Sequence, residues 1–97
     1  MDNLWYMVNV VWYDGVDAYV GKFVVQAEMV TEKIGEPGFP QVTHDSKYRI
    51  SKYLDGNGEI LKVDPLYPVE LENIMALKDS DNPDLRSAFD RFKALWF

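Results

Sequence analysis

His44, Asp45 and Ser46 are the residue types of a catalytic triad, and they stand side by side in the chain. A triad is a spatial arrangement, and neighbours along an extended segment point in opposite directions, so this run is not expected to form one. His44 is the only histidine. A zinc site built on it would need further ligands from Asp or Glu, and it is read as a polar loop residue. The sixteen Asp and Glu residues include Asp17 and Glu28, in strand-like surroundings. Carboxylate pairs cleave glycosides when two of them flank a cleft and one sits in an apolar pocket. Nothing in the spacing brings these two together, and solvated surface charge is the expectation for nearly all the acids. Neither a GxGxxG nor a GxxxxGK pattern occurs, so no phosphate-cradling loop is expected. There is no cysteine, which removes thiolate nucleophiles, cysteine-ligated zinc and disulfides and fits a reducing compartment. No enzymatic activity, metal or cofactor is expected.

The segment from Asp55 to Ile60 (Asp-Gly-Asn-Gly-Glu-Ile) resembles the middle of a calcium-binding helix–loop–helix loop. The ligands do not carry over. With Asp55 at the third loop position, Tyr53 falls where the first carboxylate belongs and Asp64 where a bidentate Glu is usual. Calcium takes six to eight oxygens, and this segment supplies too few. A hairpin turn is the expectation.

Charge is more informative than any motif. The net charge of −6 and the scattered Lys and Arg, with only Lys47, Arg49 and Lys52 close together, disfavour direct nucleic-acid binding. The same balance repels anionic membranes and favours basic partners. Glu70, Glu72, Asp79, Asp81 and Asp84 face one base, Lys78. This stretch either solubilises two helices or meets a basic groove that otherwise holds nucleic acid. Trp5, Tyr13 and Phe39 are the candidate aromatic anchors, Phe39 because it lies between Gly38 and Pro40 in a breaker-rich segment. The expected function is a non-enzymatic protein-binding module, an accessory or inhibitor protein of phage or plasmid type, that blocks a basic surface of a partner protein. The alternative is a homo-oligomeric structural protein, such as a homodimer, joined through the outer face of the first hairpin and the Trp96-Phe97 end. A small enzyme using a carboxylate pair is the distant third. The amino terminus lacks a signal-peptide pattern and the longest apolar run, Val10 to Tyr13, is far short of a membrane span, so a soluble cytoplasmic protein is expected.

These residues need a frame, and ninety-seven residues make one domain, 1–97. Leu4 to Tyr13 and Val16 to Val30 read as strands joined at Asp14-Gly15, with Leu4, Tyr6, Val8, Val10 and Trp12 sharing a face with Tyr19, Gly21, Phe23, Val25 and Ala27. The other face, with Trp5, Met7, Val11 and Tyr13 against Val20, Lys22 and Val24, is too apolar for a solvated one and should be covered. Thr31 to Asp45 holds Gly35, Pro37, Gly38 and Pro40 and reads as an irregular crossover. Ser46 to Leu54 and Glu59 to Asp64 read as a second hairpin closed by Asp64-Pro65, its Lys and Arg residues suiting a sheet edge. A short helix over Val69 to Lys78, entered at Pro68, with a strand through Val69 to Leu71 as the alternative, and a longer helix after Asn82-Pro83 complete the chain, the latter with a stripe of Leu85, Ala88, Phe89, Phe92 and Leu95 or Trp96. The expected fold class is α+β: a mainly antiparallel sheet of about four strands, in two hairpins, covered by one or two C-terminal helices.

Overall fold

The Asp14 carboxylate turns the chain at the first hairpin. Its Oδ1 accepts the backbone N–H groups of Asp17 and Val16 at 2.8 and 2.9 Å, an arrangement that mimics a backbone turn. Gly15 takes a φ of 95°, which glycine adopts without a steric penalty. On either side run β1 (Leu4–Tyr13) and β2 (Ala18–Met29), antiparallel, in a register that pairs Leu4 with Ala27, Val8 with Phe23 and Trp12 with Tyr19. The face-sharing set expected from the alternation is therefore the observed one. The computed structural model describes residues 4–29, 32–33, 36–37, 40–55 and 58–97.

The fold class is α+β, with a four-stranded antiparallel sheet in the order β5-β2-β1-β6. A two-residue pair, β3 (Glu32–Lys33) with β4 (Glu36–Pro37), and then β5 (Pro40–Val42) occupy the segment expected to be irregular. Proline is tolerated there because it ends or opens short strands, where its missing N–H costs little.

The second hairpin is a correction. His44–Tyr53 is a helix, α1, so the fourth strand of the sheet comes from elsewhere. Thr43 caps it, accepting the Ser46 N–H at 3.0 Å. Ser46, Ile50 and Leu54 then recur every four residues on the covered side, and Asp45 pairs with Arg49 one turn on at 3.0 Å. Asp55, expected to open a hairpin turn, instead follows the end of this helix, and Gly56 and Asn57 of the expected turn lie outside the described residues. Asp55 takes a φ of 56° and donates its N–H to Lys52 O, the left-handed C-terminal closure in which glycine is more usual.

β6 (Glu59–Val69) starts where expected but runs through Asp64-Pro65 and past Pro68, which was read as a helix start. It pairs only with β1 and is an edge strand, the one place in a sheet where prolines fit. Two bulges leave Leu61 and Leu66 without a partner on β1. Helix α2 (Leu71–Ala76), a 3-10 turn (Leu77–Asp79) and helix α3 (Pro83–Trp96) follow. The Asn82 cap and the Pro83 start are as expected, with Asn82 Oδ1 accepting the Asp84 N–H at 2.9 Å.

Both sheet faces are covered. On the face of Tyr6, Val8, Val10, Phe23 and Val25 sit Ile50 of α1 and Leu95 of α3. On the other, Met7 and Val24 meet Ile74 of α2 and Ala88, Phe89 and Phe92 of α3. Helix α3 serves both clusters because it lies along the open edge of β2, beyond the reach of three-residue β5. Three outward carbonyls of β2 receive side-chain donors along that edge. Arg91 Nη1 donates to Lys22 O at 2.9 Å, Trp96 Nε1 to Val24 O at 3.1 Å, and Ser46 Oγ to Gln26 O at 2.8 Å. Gly21 is required beside them, since a Cβ there would meet the Trp12 ring at 3.0 Å and Arg91 Cζ at 3.1 Å.

Ser46→Ala would leave the Gln26 carbonyl without its donor and is expected to cost roughly 1–3 kcal/mol in urea denaturation. Asp14→Ala tests the turn through pH. The N–H groups of Asp17 and Val16 hold the Asp14 carboxyl below its ordinary 3.8. A depressed folded value stabilises the fold above the ordinary carboxylate range, and that stability is lost as pH falls through the folded value. The alanine variant should therefore show a lower urea midpoint at neutral pH, with the gap to wild type narrowing in acid.

Candidate functional site

Five of the expected partner-binding residues fall close together in the chain, between Glu70 and Asp84. Glu70 precedes α2, Glu72 stands in its first turn, Asp79 ends the 3-10 turn, Asp81 follows it, and Asp84 opens α3; all five are exposed. Among the described residues the ion pairs are Arg49–Asp45 and Lys62–Asp64, so none of the five carboxylates is neutralised by one. The bases in this stretch are Lys78 and Arg86, and an Arg86 Nη1 donates to Ser80 O.

Two exposed apolar side chains accompany them. Leu71 and Met75, one turn apart on α2, are 52% and 45% exposed, while Ile74 between them is fully buried. The sequence places Leu71, Ile74, Met75 and Lys78 at helical spacing. In this six-residue helix, packed on the face of Met7 and Val24, only Ile74 is buried. Acids neighbour the exposed apolar pair along the chain: Glu70 and Glu72 on either side of Leu71, and Asp79 four residues past Met75.

The aromatic candidates separate. Trp5 is half-buried, its ring edge-on to Phe92 and to Trp96, each with centroids 5.2 Å apart. Its surface is used to hold α3 on the sheet. Tyr13, at the outer end of β1, is exposed. Phe39 lies outside the described residues. The His44-Asp45-Ser46 run does not assemble a triad: exposed His44 opens α1, Asp45 holds Arg49, and the Ser46 hydroxyl is buried as a donor to Gln26 O. Among the described residues, no group of three or more His, Cys, Asp or Glu side chains is placed to hold a metal ion. Among the described residues, no helix is long and apolar enough to cross a membrane.

Two open cavities lie on other elements. One, of about 810 Å³, runs between β5, α1 and β6 and mixes Glu59 with Lys47 and Lys62, the latter paired to Asp64 at 3.4 Å. Its charges have no consistent sign. The other, of about 510 Å³, lies between α1 and the end of α3 and is lined by Tyr48, Arg49, Lys52, Tyr53 and the residues from Ala94 to Phe97 as well as Asp45. Reading 46–54 as a strand distributes these α1 residues over two faces. Spaced 3.6 to the turn they form one face, and the Thr43 cap was the available signal.

Comparison with protein-family models, with curated proteins and with solved structures finds no match.

The two half-exposed aromatics should respond differently to truncation. Trp5→Ala is expected to cost about 3 kcal/mol, from the void left against Phe92 and Trp96. Tyr13→Ala, at a strand end in solvent, should stay within about 1 kcal/mol. Chemical denaturation of both variants checks this.

Proposed function

We propose that this chain is a small non-enzymatic protein-binding module, of the accessory or inhibitor type, that occupies a basic surface of a partner protein. The observation that carries this reading is the exposed pair Leu71 and Met75 beside carboxylates that form no ion pair among the described residues. Exposed apolar side chains supply the contact that excludes water. The surrounding acids supply complementary potential, which steers encounter and selects a basic partner over an acidic one. A net charge of −6 extends that steering over the whole molecule. A partner groove that normally holds nucleic acid has the required sign, and steric occupation of it would be inhibitory.

The homo-oligomer reading draws on a different observation. Tyr13, Val16 and Val20 near the hairpin tip are exposed, and so is Phe97. Met7 and Val24 of the same hairpin face are covered by α2 and α3. The remaining side chains are few for a stable interface, which buries roughly 1,200–2,000 Å² in total. The partner-binding reading is therefore preferred.

A partner captured from source-cell lysate on the immobilised protein should bind the triple reversal Asp79→Lys, Asp81→Lys, Asp84→Lys at least about tenfold more weakly at low salt, with the difference shrinking as salt rises. The double change Leu71→Ser, Met75→Ser should weaken binding at every salt concentration. Unchanged affinity in both variants would remove these residues from the interface.

A further inference from the structure

We propose that the groove between α1 and the end of α3 is a second docking surface, one that takes a short peptide segment of another protein carrying one or two carboxylates beside a large apolar side chain. It shares no residue with the acidic stretch and does not depend on that reading.

The described side chains lining the groove carry one positive charge in excess, on a chain of net charge −6. The acidic side chain among them, Asp45, is held by Arg49 at 3.0 Å. The other polar side chains are Arg49, Lys52 and the hydroxyls of Tyr48 and Tyr53. Each of these can donate a hydrogen bond, and the two cations can only donate. Among the described residues, Lys52 takes part in no ion pair. An anion is the ligand that such a set of donors recognises.

Several rings of the lining are held by packing. Trp96 lies under the Arg49 guanidinium, whose Cζ is 4.3 Å from the ring centroid, and Arg49 also donates to Leu95 O. The Phe97 ring is 86% exposed yet sits edge-on to Phe92, with centroids 5.5 Å apart. Tyr53 is edge-on to buried Phe23 at 5.7 Å, and Tyr48 is 65% exposed at the rim. A ligand would therefore order few side chains on binding, which lowers the entropic cost. The volume of about 510 Å³ suits a few side chains.

Charge also limits the class of anion. A nucleic-acid strand is held by neutralising several successive phosphates. Here the Lys52 ammonium, without an ion pair among the described residues, and one guanidinium already shared with Asp45 line the groove, on a chain of net charge −6. That matches one or two carboxylates and leaves a phosphate run unneutralised.

The test uses the full chain and a fluorescein-labelled nonapeptide, amidated at its C-terminus, with Phe and Leu set beside two acidic residues. Fluorescence anisotropy should show saturable binding that weakens at least about tenfold with Lys52→Glu and with Tyr48→Ser, in line with loss of a charge partner and of a ring contact. Both positions are exposed, so thermal unfolding of the variants should match wild type. The same peptide with its acids changed to amides should also bind at least about tenfold more weakly. No saturable binding, equal binding by both variants or by the amide peptide, or preference for a short oligothymidylate would each overturn the assignment. So would self-association of the wild-type chain in sedimentation that Lys52→Glu abolishes, because a second copy would then fill the groove.

Discussion

Three carbonyl oxygens on the open side of β2 constrain this fold more than any other groups. Lys22, Val24 and Gln26 point away from β1, and β5 reaches only the last three residues of β2. A backbone carbonyl buried without a donor costs free energy comparable to a lost hydrogen bond. Arg91, Trp96 and Ser46 supply the donors, from two helices far apart in the chain. Satisfying these groups sets where α3 lies along the sheet edge and how α1 approaches it. Once α3 lies along the edge, one side of it can fill each apolar cluster, so Leu95 goes to one face and Phe89 and Phe92 to the other. Arg49 ties the two helices together by donating to Leu95 O while its guanidinium covers Trp96.

How much of this can be read from residue order depends on the range of the interaction that decides each element. The first hairpin rests on alternation and on an Asp-Gly turn, both local, and its face pairing follows directly. Helix α3 is announced by Asn82, Pro83 and its apolar stripe for the same reason. Helix α1 fails because Ser46, Lys47, Arg49 and Lys52 carry no strong apolar period. Its covered side contains a serine whose partner, Gln26 O, is twenty residues away. β6 fails at its far end because prolines argue against a strand until its position at the edge is known.

The proposed binding surfaces follow the same division. The five acids are visible as composition, and that none of them forms an ion pair among the described residues is visible only in three dimensions. That Leu71 and Met75 face solvent while Ile74 does not is a matter of how α2 meets Met7 and Val24. Trp5, an attractive anchor by residue type, is claimed by α3. The aromatic and cationic groove appears once 44–53 is a helix, since a strand would split its members between two faces.

The prolines of β6 have a further effect. Pro65 and Pro68 offer no N–H, and the bulges at Leu61 and Leu66 interrupt the hydrogen-bonding rhythm along the same border. With the β2 border occupied by side-chain donors, neither long margin of the sheet offers a continuous backbone rail on which an incoming extended chain could zip. On the proposed binding reading, a partner would therefore read side chains rather than extend the sheet. Recognition of that kind is coded position by position, so a few surface substitutions could redirect it while the scaffold beneath stays the same.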